Sequence, residues 1–355
     1  MGKLKVGVIG LGMGFTHLEN YLKCADAEVV AIADRIEERR SRAKEICPGA
    51  RYYTEGADMI ANEKLDIISV AVPNNQHKDL TIAALKSGAN VLCEKPMAMN
   101  TAEAQEMKDT ADQLGLKLGI DFSYRFRPQS RAMKELVESG ALGEIYYARS
   151  VWMRRRGIPG IAKGFNTKGA SGSWFFDKEQ SGGGPLIDLG VHRLDLVMWL
   201  MGYPEPDCVL ASTYCKIAPE VAKRNNINYT VEDLACAMIK LKNGATIELD
   251  ASWASNIKMN EDQSSRLLGT KGGLYQYNLN EGYEYEVEFY QDLNGKQFDC
   301  KLHPPVPGVK DAFSLFVEAV RDDTPYLVDA KDGVMVMRIL DAIYESARTG
   351  KPVYF

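Results

Sequence analysis

Few residue patterns here point away from an ordinary globular protein. No run of about twenty apolar residues occurs, so no segment reads as a membrane-spanning helix. The seven cysteines (Cys24, Cys47, Cys93, Cys208, Cys215, Cys236, Cys300) include no C-x-x-C pair. An odd, scattered set is neither a disulfide framework nor a zinc site, and reads as reduced thiols. The four histidines show no third ligand at metal spacing, so no metal is expected. No Lys/Arg block interleaves with aromatics, and a net charge of -5 with pI near 5.6 gives little attraction for phosphate backbones. Nucleic acid and membrane are therefore not expected partners. Residues 35–42 are locally basic but contain two glutamates, and read as a solvated helix face. An apolar strand starting at residue 4 leaves no room for a signal peptide, which points to the cytoplasm.

What the chain does contain is alternation. At 355 residues it exceeds one ordinary hydrophobic core, so two domains are expected. Strands at 4–10, 28–33, 66–72, 90–93 and 117–121 alternate with helices to residue 21 and at 37–45, 57–62, 78–87 and 101–114. Such an order predicts a doubly wound parallel sheet of Rossmann type over residues 1–124. From residue 125 to 355 the pattern becomes α+β. It has a helix to 139, a strand at 145–152, a helix ending at 201, and strands at 209–216, 233–241, 246–255, 264–268, 273–277 and 284–289. Helices at 309–322 and 330–349 close it, the last able to pack back on the first domain. This second domain is expected to hold a large, mainly antiparallel open sheet with one covered face, and to bind substrate and mediate oligomerisation.

Three motifs carry chemistry. Gly10-Leu-Gly12-Met13-Gly14-Phe15 follows a strand and opens a helix, and Asp34 ends the next strand. That is the context of a dinucleotide fingerprint, with backbone amides and a helix N-terminus for the pyrophosphate and a carboxylate for the ribose hydroxyls. The third glycine stands at 14 rather than 15, implying a tighter turn. Asp34 favours NAD, while the neighbouring Arg35 offers a 2′-phosphate partner and keeps NADP as the less favoured option. The second motif is Glu94-Lys95-Pro96. The third, Asp188-Leu-Gly-Val-His192, follows three glycines and Pro185, a helix start that sets 188 and 192 four apart on one face. That pair reads either as an acid–base set, as a hydrogen-bonded helical pair, or as two metal ligands.

Together with Val72-Pro73-Asn74, His77 and Tyr124-Arg125-Phe126, these motifs resemble the Gfo/Idh/MocA oxidoreductase family. The resemblance implies a nicotinamide-dependent enzyme acting on a hydroxyl of a sugar, cyclitol or glycoside, and homo-oligomers formed through the second domain's sheet. It assigns Lys95, Asp188 and His192 to catalysis, with Lys95 stabilising the alkoxide, Asp188 orienting substrate and His192 as general base. Nucleotide contacts are expected from Gly10, Gly12, Met13, Gly14, Phe15, Asp34, Arg35, Pro73, Asn74, His77, Glu94 and Lys95. For His77 a capping or packing role is an equal reading, and His17 is expected to pack near the phosphates. Asp121 and Ser123 depart from the family's usual glycine and asparagine. Substrate contacts are expected from Tyr124, Arg125, Arg156, Trp174, Asp188 and His192, with Lys163 and Asn166 nearby. The glycine-rich segment 154–184, with its Trp174-Phe175-Phe176 cluster, reads as a substrate cover. Its length favours a glycoside, with the glucose 3-hydroxyl as the sharpest reading. Inositol or free-sugar oxidation, NADP-dependent keto-sugar reduction and a nucleotide-sensing regulator are the competing readings.

Overall fold

The computed structural model describes residues 2–159, 173–303 and 309–355. They form two units: Met1–Phe122 with Lys310–Met337, and Ser123–Val309 with Arg338–Phe355. A single cut after residue 124 therefore misplaces residues 310–337, which add apolar side chains such as Phe313, Phe316 and Val317 to the core of the first unit.

In the first unit, β1 (Leu4–Ile9), α1 (Gly14–Lys23), β2 (Ala27–Ala33), α2 (Glu37–Ile46), β3 (Arg51–Tyr53), α3 (Gly56–Asn62), β4 (Ile67–Val70), α4 (His77–Lys86), β5 (Asn90–Cys93), α5 (Thr101–Leu114) and β6 (Leu118–Ile120) alternate as expected. The sheet runs β3-β2-β1-β4-β5-β6, parallel throughout. That order reverses beside β1, where doubly wound sheets leave a crevice for a ligand at the strands' carboxyl ends. The short edge strand β3 escapes the sequence reading because three residues carry no usable alternation. Asn100 caps α5 by accepting from the Glu103 amide, while Gly115 ends it in the left-handed conformation.

In the second unit, α6 (Pro128–Glu138) leads into β7 (Ile145–Arg154), then α7 (Lys178–Ser181), α8 (Val191–Leu200), β8 (Pro206–Tyr214), α9 (Ala218–Arg224), β9 (Leu234–Leu241), β10 (Thr246–Ser252), β11 (Glu261–Gly269), β12 (Gly272–Leu279), β13 (Glu284–Leu293) and β14 (Lys296–Lys301). The helix α10 (Ala312–Arg321) returns to the first unit, α11 (Ala330–Thr349) runs from one unit into the other, and β15 (Val353–Tyr354) closes the chain. The sheet order is β14-β13-β12-β11-β7-β10-β9-β8-β15, and β10 with β7 is its single parallel pair among the described residues. All ten residues of α8 are buried, and the helix packs along β7 and β11. Strand β14 was missed because its six residues are all exposed, which leaves no hydrophobic face to read. Helix α10 starts three residues later than expected because Asp311 caps it, accepting from the Phe313 and Ser314 amides.

Candidate functional site

At the end of β1 the glycines divide their work. Gly10 has φ +86°, and any Cβ there would run into the Ala71 carbonyl. A Cβ on Gly14 would lie 3.3 Å from Val8 Cγ1 and 3.5 Å from Ala71 Cβ, so this glycine seats α1 against the strands. Gly12 faces open space, its nearest neighbour being Arg39 Nη1 at 3.8 Å, which leaves its backbone approachable. Asp34 is buried at the end of β2. Its Oδ2 accepts from the Leu11 amide at 2.6 Å and its Oδ1 from the Ile36 amide at 2.7 Å. A carboxylate has about four acceptor sites, so beside these amides and the Arg39 guanidinium at 3.5 Å it keeps capacity for a ribose hydroxyl. These residues fit a dinucleotide.

The Arg35 side chain is 67% exposed and paired with Glu55 at 2.8 Å. Arg39, four residues along α2, reaches Asp34 instead, at 3.5 Å. Met13 is exposed, and Phe15 lies under the Arg42 guanidinium at 4.2 Å.

Beyond the glycine turn, two buried histidines hold the Glu94-Lys95-Pro96 turn from either side. From α1, His17 Nε2 lies 3.0 Å from Glu94 Oε1, and its Nδ1 lies 2.7 Å from Ser69 Oγ. Glu94 Oε2 accepts from the Lys95 amide at 3.1 Å. From α4, His77 Nδ1 lies 2.8 Å from the Pro96 carbonyl and Nε2 lies 2.9 Å from the Val72 carbonyl. Both partners are acceptors, so the neutral ring donates to one carbonyl at a time. Burial lowers its pKa and favours that neutral form. The Lys95–Pro96 peptide is cis. Pro73 precedes a single 3-10 turn, Asn74–Gln76, in which Asn74 is buried.

The sequence reading placed His17 near the phosphates as packing and did not connect it with Asp121, whose Oδ2 lies 3.7 Å from His17 Nε2. Burial first, then the Glu94 charge, push Asp121 up to about 7. Burial would raise Glu94 too, but the His17 hydrogen bond and the Lys95 charge bring it below the usual carboxylate value. These three side chains place one nitrogen and two carboxylate oxygens within 4.8 Å, among the described residues a donor set a small cation could use. The 3.0 Å separation of His17 and Glu94 is that of a hydrogen bond.

In the second unit, the expected regular helix from Pro185 begins instead as a π-turn, Leu186–Gly190, before α8. Widening the turn shifts Asp188 against His192 relative to α-helical spacing, and such turns recur at functional sites. The glycines before it make room for a buried carboxylate. Glu232 accepts from the Gly184 amide at 2.9 Å, the Leu186 amide at 3.1 Å and the Tyr344 hydroxyl at 2.9 Å. A Cβ at Gly184 would strike the Glu232 backbone carbonyl.

Asp188 Oδ2 accepts from Trp253 Nε1 at 3.0 Å. The His192 ring is flanked by Tyr124 at 5.1 Å and Trp152 at 5.8 Å between centroids. Behind them Arg193 stacks over Tyr124 at 4.8 Å and Trp152 at 5.3 Å, and donates to Gln263 Oε1 at 2.8 Å. Tyr124 donates to the same oxygen at 3.0 Å. Tyr124 and Trp152 belong with Trp253 and Tyr285 to a buried aromatic cluster. The Asp188 carboxylate and the His192 imidazole thus stand on one helix start against packed rings, an acceptor pair that a substrate hydroxyl can use.

Arg125 corrects the sequence expectation. It makes a bidentate pair with Asp195 at 3.0 and 2.6 Å, and both side chains are 0% exposed, so it belongs to the core rather than to a ligand. Arg156 donates to the Ser255 carbonyl at 3.1 Å and to Asn256 at 2.8 Å. Trp174 stacks one face on Phe175 at 3.9 Å, and Phe175 sets its edge to Trp253. Lys163 and Asn166 lie outside the described residues. Glu261 and Gln263 on β11 and Tyr283 in the turn before β13 were missed, since nothing local distinguishes a residue near the site from a surface one.

Comparison with known proteins decides the family. Residues 4–122 match the oxidoreductase family's NAD-binding Rossmann fold, and residues 134–355 match its C-terminal alpha/beta domain. The chain belongs to the Gfo/Idh/MocA oxidoreductase family. A D-glucoside 3-dehydrogenase of Escherichia coli K12 is 31% identical, covering 99% of this chain and 97% of that protein. A myo-inositol 2-dehydrogenase of Thermotoga maritima is 26% identical, covering 94% and 93%. Among solved structures, GenD2 from gentamicin A biosynthesis in complex with NAD superposes with a TM-score of 0.79 at 26% identity, covering 100% and 97%. As a family member the protein is an NAD-binding oxidoreductase. Among the described residues no helix is long and apolar enough to cross a membrane.

Proposed function

We propose that this oxidoreductase uses NAD to oxidise a secondary hydroxyl of a glycoside, namely the 3-hydroxyl of a glucoside. The observation that carries the reading is that Asp188, held by Trp253, and His192, flanked by Tyr124 and Trp152, stand on one helix start, in a chain similar along its whole length to a D-glucoside 3-dehydrogenase. Gly10, Gly12 and Gly14 with Asp34 would hold the dinucleotide, and NAD when bound supplies the hydride acceptor. His192 takes the hydroxyl proton as the carbon–hydrogen bond breaks, Asp188 orients the hydroxyls, and Lys95 offsets the alkoxide charge. Trp253 fixes the Asp188 carboxylate, and the His17 and His77 clamp fixes the Lys95 backbone. Asp34 repels a 2′-phosphate, which supports NAD over NADP.

The open face of the nine-stranded sheet carries exposed Leu210 opposite exposed Met238 on neighbouring strands, and this face would join copies into a homo-oligomer. The activity is tested by nicotinamide reduction with NAD across matched glucosides, free hexoses and inositols, with Lys95→Ala as control. Turnover of methyl glucosides with NAD supports the reading, while exclusive turnover of inositols or free hexoses removes the glucoside assignment.

A further inference from the structure

Glu261 opens β11 directly opposite Arg154 at the end of β7. Its two carboxylate oxygens are treated very differently. Oε1 accepts from Trp152 Nε1 at 2.6 Å, Arg154 Nε at 3.0 Å and Gln263 Nε2 at 3.1 Å. Oε2 accepts from none of the described residues, although only 16% of the side chain is exposed. This oxygen is not one of the buried atoms left without a partner, so it is open to solvent, where a ligand hydroxyl can take the place of water.

The place is right for such a ligand. The indole that donates to Glu261 is the one flanking His192. Arg154 reaches from Glu261 to the Tyr283 hydroxyl at 3.0 Å, and the Tyr283 ring meets the Trp152 ring edge-on at 6.1 Å. Burial works against the Arg154 charge, but the Asp188 and Glu261 carboxylates more than offset it. The guanidinium is thus already neutralised. An anionic substrate would have to displace Glu261 from it and then sit beside an unpaired carboxylate.

Building on the glycoside reading above, we infer that Glu261 Oε2 is a second acceptor for substrate hydroxyls, and that the Arg154–Glu261 pair selects an uncharged polyol over a phosphorylated or carboxylated sugar. A charged acceptor facing a hydroxyl raises affinity by about ten-fold or more.

The test is steady-state kinetics of the full chain and its Glu261→Gln variant with NAD, using methyl β-glucoside, myo-inositol and glucose 6-phosphate. Expected for Glu261→Gln is a KM for the neutral sugar raised about ten-fold, an unchanged KM for NAD, and a kcat/KM ratio shifted toward glucose 6-phosphate. Glu261→Asp, which keeps the charge on a shorter reach, should retain the preference for neutral sugar and guards against a folding defect in the first variant. Unchanged neutral-sugar KM in Glu261→Gln, or an equal rise in the KM for NAD, overturns the inference. A wild type that oxidises glucose 6-phosphate and neither neutral sugar also overturns it, and leaves the dehydrogenase reading standing. Turnover of none of the three overturns both.

Discussion

The two units build their polar chemistry in opposite ways. In the first, functional groups are held largely through backbone: Asp34 by two amides, Glu94 by the Lys95 amide and His17, and His77 by two carbonyls. Around His192 in the second, side chains hold one another: Tyr124, Arg193 and Tyr285 share Gln263, and Trp152 and Arg154 share Glu261. A backbone-held site tolerates sequence drift at many side chains and suits an invariant cofactor. A site made of interlocked side chains changes its specificity with a few substitutions, which suits a family with many substrates.

The largest expected effect lies on the chemistry side of that division. His192→Ala should lower kcat by about 10²–10⁴ while leaving NAD affinity unchanged, read by steady-state kinetics and by nucleotide fluorescence titration. An equal loss of NAD binding would show that the second unit's side chains do not act separately from the nucleotide site.

Stability is expected to follow burial rather than charge. Asp195→Leu leaves Arg125 as an uncompensated buried cation and should cost about 3–5 kcal/mol in urea unfolding, whereas Arg35→Ala should stay within about 0.5 kcal/mol. Similar losses for both would mean that the buried pair has the value of a surface one.

Next in size, Asp34→Ala should raise the KM for NAD about ten-fold and narrow the preference over NADP. No change would mean that the backbone amides alone hold the nucleotide.

The smallest effect tests the buried cluster. Asp121 stands at about 7 in the folded chain against 3.8 for the ordinary side chain. Between those values the folded state keeps a proton that the unfolded state releases. The contribution of Asp121 is therefore fully present below the lower value and is lost as pH rises through the upper one. Asp121→Asn should raise Tm by a few degrees at about pH 8 and by less at about pH 5. A gain that grows toward acid would reverse the sign and show that folding lowers the Asp121 pKa rather than raising it.

Legibility followed sequence distance. Gly10, Gly12, Gly14 and Asp34 sit within one strand–helix–strand unit, where each requirement is local: a positive φ, a close helix seat, a carboxylate on the next strand. The alternation of short apolar strands and helices likewise gave the parallel sheet, and period-2 patterning gave most of the second one. Arg125 misled because its place in a motif says nothing of Asp195, seventy residues away, which consumes its charge. Glu261 gave no signal because its partners lie 107 and 109 residues earlier.

What the sequence by itself determined is the nucleotide fold, because short-range backbone requirements fix Gly10 and Gly14 in place, and the family, whose resemblance singles out Lys95, Asp188 and His192 as the groups to examine. Tertiary structure alone decided which charges are spent internally and which are left for a ligand. Arg125 and Arg35 are both arginines beside a motif, yet one is locked against Asp195 in the core and the other pairs with Glu55 at the surface. Burial and long-range pairing, which set the free energy of a charge, depend on chain segments that meet only after folding.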